Sequence, residues 1–204
     1  MSQFSIIILA AGKGTRMNNP ETPKVLAQAN GKPLIGYVLD TALQLNPKRI
    51  YLIVGYKKEL VIDYVSGEYR NQLGTIKFIH QDEQLGTGHA VKQVEPFVEQ
   101  PTDVVILAGD APVIKPKTLQ KFIAEHTAAS AELSVLSATA ANPTGYGRIV
   151  RSPDGEFIRI REEKDASQQE KAINEINSGI YFLNTGLLFA ALENVKQNNA
   201  QKEY

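Results

Sequence analysis

The stretch "LAAGKGTRM", positions 9–17, carries the clearest chemical potential in the chain: an apolar run gives way to two glycines, a lysine and an arginine. Backbone N–H groups at a glycine-rich turn can approach phosphate oxygens closely, and neighbouring cations add charge. Gly12 and Gly14 fit the first role, Lys13 and Arg16 the second. A plain glycine turn with surface cations is the ordinary alternative. Two standard phosphate motifs fail. The fingerprint G-x-G-x-x-G would need glycine where Met17 stands, and the G-x-x-x-x-G-K-[ST] loop would need it at Ile7 or Leu9.

Two further positions could serve the same ligand. In "TPKVL", Lys24 follows Pro23 and precedes apolar residues; taken alone it reads as a surface lysine. In "VVILAGDAP", Asp110 stands just past an apolar run. A carboxylate there can hold Mg²⁺, which takes hard oxygen ligands and commonly bridges protein carboxylate and substrate phosphate; a loop-capping aspartate is the alternative. "QLGTGHA", 84–90, combines a glycine turn with a helix start.

The elements that must position these residues are short. Strands are expected at 4–10, 49–54, 75–80 and 103–108, each β-branched and apolar, with helices between them at 33–45, 59–69, 88–98 and 116–129. Strand and helix alternating at this spacing predict a parallel sheet with helices on both faces, and ligands in such sheets bind beyond the carboxyl ends of the strands. The second half changes character. Strands at 132–139, 146–151, 156–163 and 176–184 are separated by turn signals such as "SPDG" and predict an antiparallel addition, followed by a helix at 185–195. The expectation is one Rossmann-like α/β domain, since no repeat or linker divides the chain.

Composition narrows the partners. Lys+Arg and Asp+Glu both total 22, so the basic surplus of a nucleic-acid binder is missing. No cysteine is present, which excludes disulfides, thiolate metal sites and a cysteine nucleophile. The apolar opening is too short for a membrane span and lacks a basic leader, so no membrane partner and a cytoplasmic location are expected.

Taken together, "LAAGKGTRM…PKVL", "EQLGTGHAV" (83–91), "LAGDAPVI" (107–114), "PTGYGRIV" (143–150), "EEKDA" (162–166), "EINSGIY" (175–181) and "NNAQKEY" (198–204) resemble the signature of the sugar-nucleotide pyrophosphorylases. Within that family they are most similar to the N-acetylglucosamine-1-phosphate uridyltransferases, which form one domain of a bifunctional uridyltransferase/acetyltransferase. The resemblance runs from residue 5 to the end. It implies synthesis of UDP-N-acetylglucosamine, a cell-wall precursor, and pyrophosphate from UTP and N-acetylglucosamine 1-phosphate, with Mg²⁺ as cofactor.

Carried over residue by residue, the resemblance places Leu9, Ala10, Ala11, Gly12 and Gly14 at the nucleotide, and Arg16 and Lys24 on its phosphates as catalytic cations. Asp110 becomes the metal ligand, beside Ala108 and Gly109. Gln81, Gly86 and Thr87 match positions that contact uracil; Gly147, Glu162 and Asn177 match positions that bind the sugar. His89 reads as structural, Glu163 as part of an exposed charge run with Lys164 and Asp165, and Tyr146 and Tyr181 as core or rim aromatics.

The sequence also departs from the family pattern. Ala108 stands where a larger, often aromatic residue is common, and Tyr37 where histidine is. The family domain continues past the point matching Tyr204, with an "E-x-x-G-V-N" segment whose asparagine is a second metal ligand. The expectation is therefore a domain lacking its C-terminal portion and the acetyltransferase half, binding UTP but turning over poorly, with an uncovered face that favours self-association. The same reaction on another base and sugar pair, or a nucleotide-sugar-binding module with little turnover, stays open.

Overall fold

Ile6, Ile7 and Ile8 are each fully buried, so successive residues of one strand are covered on opposite faces of a sheet. That is the mark of a central strand with helices above and below, and burying each isoleucine contributes about 1.5–3 kcal/mol relative to exposure. A computed structural model describes residues 4–14 and 21–195. Along the chain, β1 (Ser5–Ala10) is followed by a small hairpin of β2 (Gln28–Ala29) and β3 (Lys32–Pro33). Then come α1 (Leu34–Leu43), β4 (Ile50–Val54), α2 (Lys58–Glu68), β5 (Ile76–His80), α3 (Thr87–Lys92), β6 (Asp103–Ala108) and α4 (Pro116–Ala129). The second half comprises β7 (Leu133–Thr139), β8 (Arg148–Arg151), β9 (Phe157–Arg161), α5 (Gln168–Lys171), β10 (Glu175–Asn184) and α6 (Thr185–Glu193).

The main sheet runs β5-β4-β1-β6-β10-β8-β9, with β7 also paired to β10. Strands β5, β4, β1 and β6 are parallel, and β10 joins β6 antiparallel, as do β7 and β8 to β10. The two-residue side-chain period sorts the core. Ile6, Ile8, Leu52 and Leu107 pack with α1, α2 and α4, while Ile7, Ile53 and Ile106 pack with α3 and α6.

This winding locates the site. From β1 the chain passes outward through α1 and α2 to β4 and β5, then returns behind the other face through α3 to β6. Direction therefore reverses between β1 and β6, and their carboxyl ends, paired at Leu9 and Ala108, splay apart into the two loops with the most chemistry. Such a reversal opens a crevice at the carboxyl edge of the sheet.

The structure corrects several boundaries. The helix expected over 88–98 stops at Lys92, four residues before Pro96, whose ring would clash with that carbonyl; a 3-10 turn at Glu95–Phe97 replaces its end. The strand expected from 146 starts at Arg148, because Tyr146 closes a turn onto the Pro143 carbonyl. The β2–β3 hairpin adds to the expected elements. Its Asn30-Gly31 pair takes φ of 48° and 76°, the mirror-image turn that a two-residue hairpin favours. So does α5, where Ser167 and Glu170 form a reciprocal capping box at the start.

Candidate active site

Pro23 holds extended backbone, and one 3-10 turn, Lys24–Leu26, follows it. Val25 in that turn is buried among α1 and the sheet, which fixes the turn and leaves Lys24 facing the crevice. Opposite, Gly14 adopts φ of 65°, and a Cβ there would collide with the Lys24 side chain. Glycine is thus required twice at this position, by conformation and by space.

Asp110 arrives from the other strand. The Gly109 N–H donates to the Leu9 carbonyl at 2.9 Å, so the β6 loop leaves while still tied to β1. The Asp110 carboxylate pairs with the Lys24 ammonium, closing a bridge between the two loops. Both groups remain partly open to solvent, at 38% and 29% of their side-chain surface.

The crevice has a volume of about 570 Å³ and is lined by Leu9, Ala11, Gly12, Lys13, Gly14, Lys24, Val25, Gln81, Gln84, Gly86, Thr87, Ala90, Ala108 and Asp110. Gln81, just beyond β5, is 4% exposed. Its amide nitrogen donates to the Gly86 carbonyl at 3.2 Å and lies 3.1 Å from His89 Nδ1. With the nitrogen engaged, its carbonyl oxygen is the atom left to accept a bond. His89, expected to be structural, orients this amide, and Gln93 flanks its other ring nitrogen at 3.1 Å.

A second group forms on the antiparallel arm. Because β10 runs against β6, its first half stands beside the carboxyl end of β6, on the same edge of the sheet as Asp110. A bulge between Asn177 and Ile180 breaks the register there. Asn177 uses its side-chain oxygen to accept from the Gly179 N–H at 3.0 Å and donates its amide to the Tyr181 hydroxyl at 2.7 Å. Bulges of this kind re-aim side chains. The Asn177 N–H donates to the Gly147 carbonyl at 2.8 Å, and a Cβ on Gly147 would stand 2.9 Å from Glu162 Oε1. Burial pushes the Tyr181 phenol up; the Asn177 bond offsets part of this, and the Glu162 charge adds to it.

Most positions carried over from the resemblance therefore meet in two neighbouring groups. Ala10 is one exception among the crevice positions: at 1% exposure its side chain belongs to the core. Gly109 lies behind the lining, and Arg16 and the "NNAQKEY" segment fall outside the described residues. Tyr146 is half exposed at the rim. Tyr37, in place of the family's histidine, donates its hydroxyl to the Ala29 carbonyl at 2.7 Å and pins the hairpin to α1. Glu163 is not part of a free charge run. It pairs at 2.7 Å with Arg148, a side chain 1% exposed, and that guanidinium holds its carboxyl below the usual carboxylate range. Sequence reading also missed Gln84 in the lining, although an amide beside "LGTG" was visible. Among the described residues no group of three His, Cys, Asp or Glu could hold a metal by itself, and no helix is long and apolar enough to cross a membrane.

Comparison with known proteins agrees with this geometry. Residues 5–204 match the family model described as Nucleotidyl transferase. The chain is 43% identical over 202 residues to the bifunctional protein GlmU of Syntrophomonas wolfei subsp. wolfei, covering 99% of this chain and 43% of that protein. It is 41% identical over 206 residues to the GlmU of Bacillus subtilis, covering 100% of this chain and 43% of that one. The chain thus spans less than half the length of these relatives. A UDP-glucose pyrophosphorylase solved with UDP-glucose superposes with a TM-score of 0.80 at 21% identity, over 98% of this chain and 82% of that one. HddC from Yersinia pseudotuberculosis, solved with GMP-PN, gives 0.71 at 23%, over 99% and 82%. At such identities the likeness speaks for the fold. By family match, sheet order and crevice, the chain belongs to the nucleotidyl transferase family.

Proposed function

We propose that residues 1–204 act as a uridyltransferase domain, joining UTP to N-acetylglucosamine 1-phosphate with release of pyrophosphate. The observation that carries this reading is the convergence of Gly14, Lys24 and Asp110 at the reversal between β1 and β6. The GlmU relatives, at above 40% identity, favour this substrate pair over the alternatives.

In the proposed reaction a phosphate oxygen of the sugar 1-phosphate attacks the α-phosphorus of UTP in line. A new P–O bond forms, the bond to the bridging oxygen of the β-phosphate breaks, and pyrophosphate leaves with those electrons. No protein acid or base is required, so the protein contributes position and charge. The N–H groups of the Gly12–Gly14 loop receive phosphate oxygens, and Lys24 leaves its bond to Asp110 to neutralise them. Arg16 is assigned the same role from the sequence. The Gln81 oxygen accepts the imide N–H of uracil, beside Gly86 and Thr87. Glu162 and Asn177 bind sugar hydroxyl and acetamido groups, and Gly147 leaves room for the ring.

Asp110 is suited to a divalent ion. It offers a carboxylate partly open to the crevice, and among the described residues no group of three His, Cys, Asp or Glu forms a cage. Mg²⁺ is commonly held in this manner, by one or two carboxylates with water and substrate phosphates completing its shell. When bound, the ion would neutralise charge on the phosphates.

Label in the α-phosphate of UTP tests the transfer. It should appear in UDP-N-acetylglucosamine and not in pyrophosphate. Label recovered as UMP, with or without the sugar phosphate, would make the protein a hydrolase and reject the proposal.

A further inference from the structure

Arg148 sits in β8 with only 1% of its surface exposed, and its Nε has no hydrogen-bond partner among the described residues. Burying a guanidinium is costly, and an apolar side chain packed in its place is often as stable or more so. Its contacts are therefore informative. One terminal nitrogen donates to the Tyr146 carbonyl, and the other donates to Glu163 Oε2 at 2.7 Å and to the Lys171 carbonyl at 3.4 Å. The same Glu163 oxygen accepts the Gly145 N–H at 3.2 Å.

These acceptors lie on three separate segments: the turn before β8, the turn after β9, and the last residue of α5. Two of these segments adjoin a residue of the sugar group, and the third leads into the strand that carries another. Tyr146 precedes Gly147, Glu163 follows Glu162, and Lys171 precedes the strand that carries Asn177. The ladders stop at these segments: β8 pairs with β9 from Arg148 and Arg161 onward and meets β10 at Arg148 and Ile176, so the turns at Tyr146 and Glu163 lie just beyond the strand ends.

The geometry points to Arg148 as a positioning residue that shapes the sugar pocket of Gly147, Glu162 and Asn177, holding the turns beyond these strand ends against the end of α5 without touching the substrate. Lysine cannot replace it, because one ammonium does not present the planar fork that reaches three acceptors together. This inference rests on the proposed function, which assigns those three residues to the sugar.

The test is calorimetric titration of the wild-type protein, Arg148→Met, Arg148→Lys and Glu163→Gln with UDP-N-acetylglucosamine and, separately, with UTP. Loss of about one well-made hydrogen bond to the sugar weakens binding on the order of 10-fold, so Arg148→Met should lose roughly that much affinity for the sugar nucleotide. UTP, bound on the β1–β6 side, should bind all four proteins alike. Arg148→Lys and Glu163→Gln should fall between wild type and Arg148→Met, and they decide the matter where the methionine variant does not fold. A drop in melting temperature with an unchanged ratio of the two dissociation constants would make Arg148 merely structural and overturn the inference. Wild-type protein that binds neither ligand would instead overturn the functional reading, and the inference with it.

Discussion

Lys24 and Asp110, separated by 86 positions in the sequence, form an ion pair across the mouth of the crevice, linking the first 3-10 turn to the loop after β6. Exposed pairs of this kind typically contribute only about 0.2–1 kcal/mol, so the pair is poorly explained as a fold-stabilising device. Lys24→Ala should leave the melting temperature almost unchanged while lowering turnover by on the order of 10²–10³, the effect of losing one preorganised electrostatic donor. Asp110→Asn should cost at least as much. Steady-state pyrophosphate release with parallel thermal melts checks both, and near-normal turnover of Asp110→Asn across a magnesium titration would place the metal elsewhere.

Gly147→Ala puts a methyl group 2.9 Å from Glu162 Oε1 and 3.1 Å from Ile160 Cγ2. The carboxylate is the softer neighbour and should move. The KM for the sugar 1-phosphate is expected to rise by on the order of 10-fold, with the KM for UTP unaffected. A rise in the UTP constant alone would contradict the division of the site into two groups.

The antiparallel arm should be sensitive to acid. Hydrogen bonding to Arg151 holds the Glu175 carboxyl down at about 2, below its ordinary 4.5. Glu170, bonded by the Ser167 backbone and by Arg159, also lies at about 2. A carboxyl depressed on folding stabilises fully above 4.5, and that contribution is lost as pH falls toward 2. Melting curves of wild type and Glu175→Gln should therefore differ most above pH 4.5 and converge on acidification. A pH-independent gap would assign the difference to shape and not to charge.

Phe182 tests the junction of the two halves. It is 1% exposed on β10, with the Phe4 ring at 6.2 Å and His126 at 4.4 Å between centroids. Truncating such a side chain typically costs about 3–5 kcal/mol. Phe182→Ala should lose that much in urea unfolding; a loss below about 1 kcal/mol, no more than a single methyl deletion typically costs, would mean the arm is not packed on the parallel half.

What the sequence disclosed follows from how locally each feature is encoded. β1 and β6 are continuous apolar runs, and α4 begins at Pro116 in the first helical turn, so periodicity and composition read them directly. The Asn30-Gly31 hairpin and the Ser167–Glu170 cap are equally local but too short to show a period. The Arg148–Glu163 bond was of another kind. Nothing in "GYGR" or "EEKD" says that the arginine is buried, because its burial depends on β9 folding back and on β10 closing over it. Likewise Asp110 was legible as a carboxylate at a strand end, but its partner Lys24 meets it only through the winding of the sheet.

The most direct test of the central claim is pyrophosphate release measured across UTP, dTTP, CTP and GTP, each with N-acetylglucosamine 1-phosphate, glucose 1-phosphate and no sugar, in the presence of magnesium. The account predicts release with UTP and N-acetylglucosamine 1-phosphate together, and loss of release when either substrate or the metal is withheld. Equal or faster release with dTTP and glucose 1-phosphate, or none with any pair despite nucleotide binding, would contradict it.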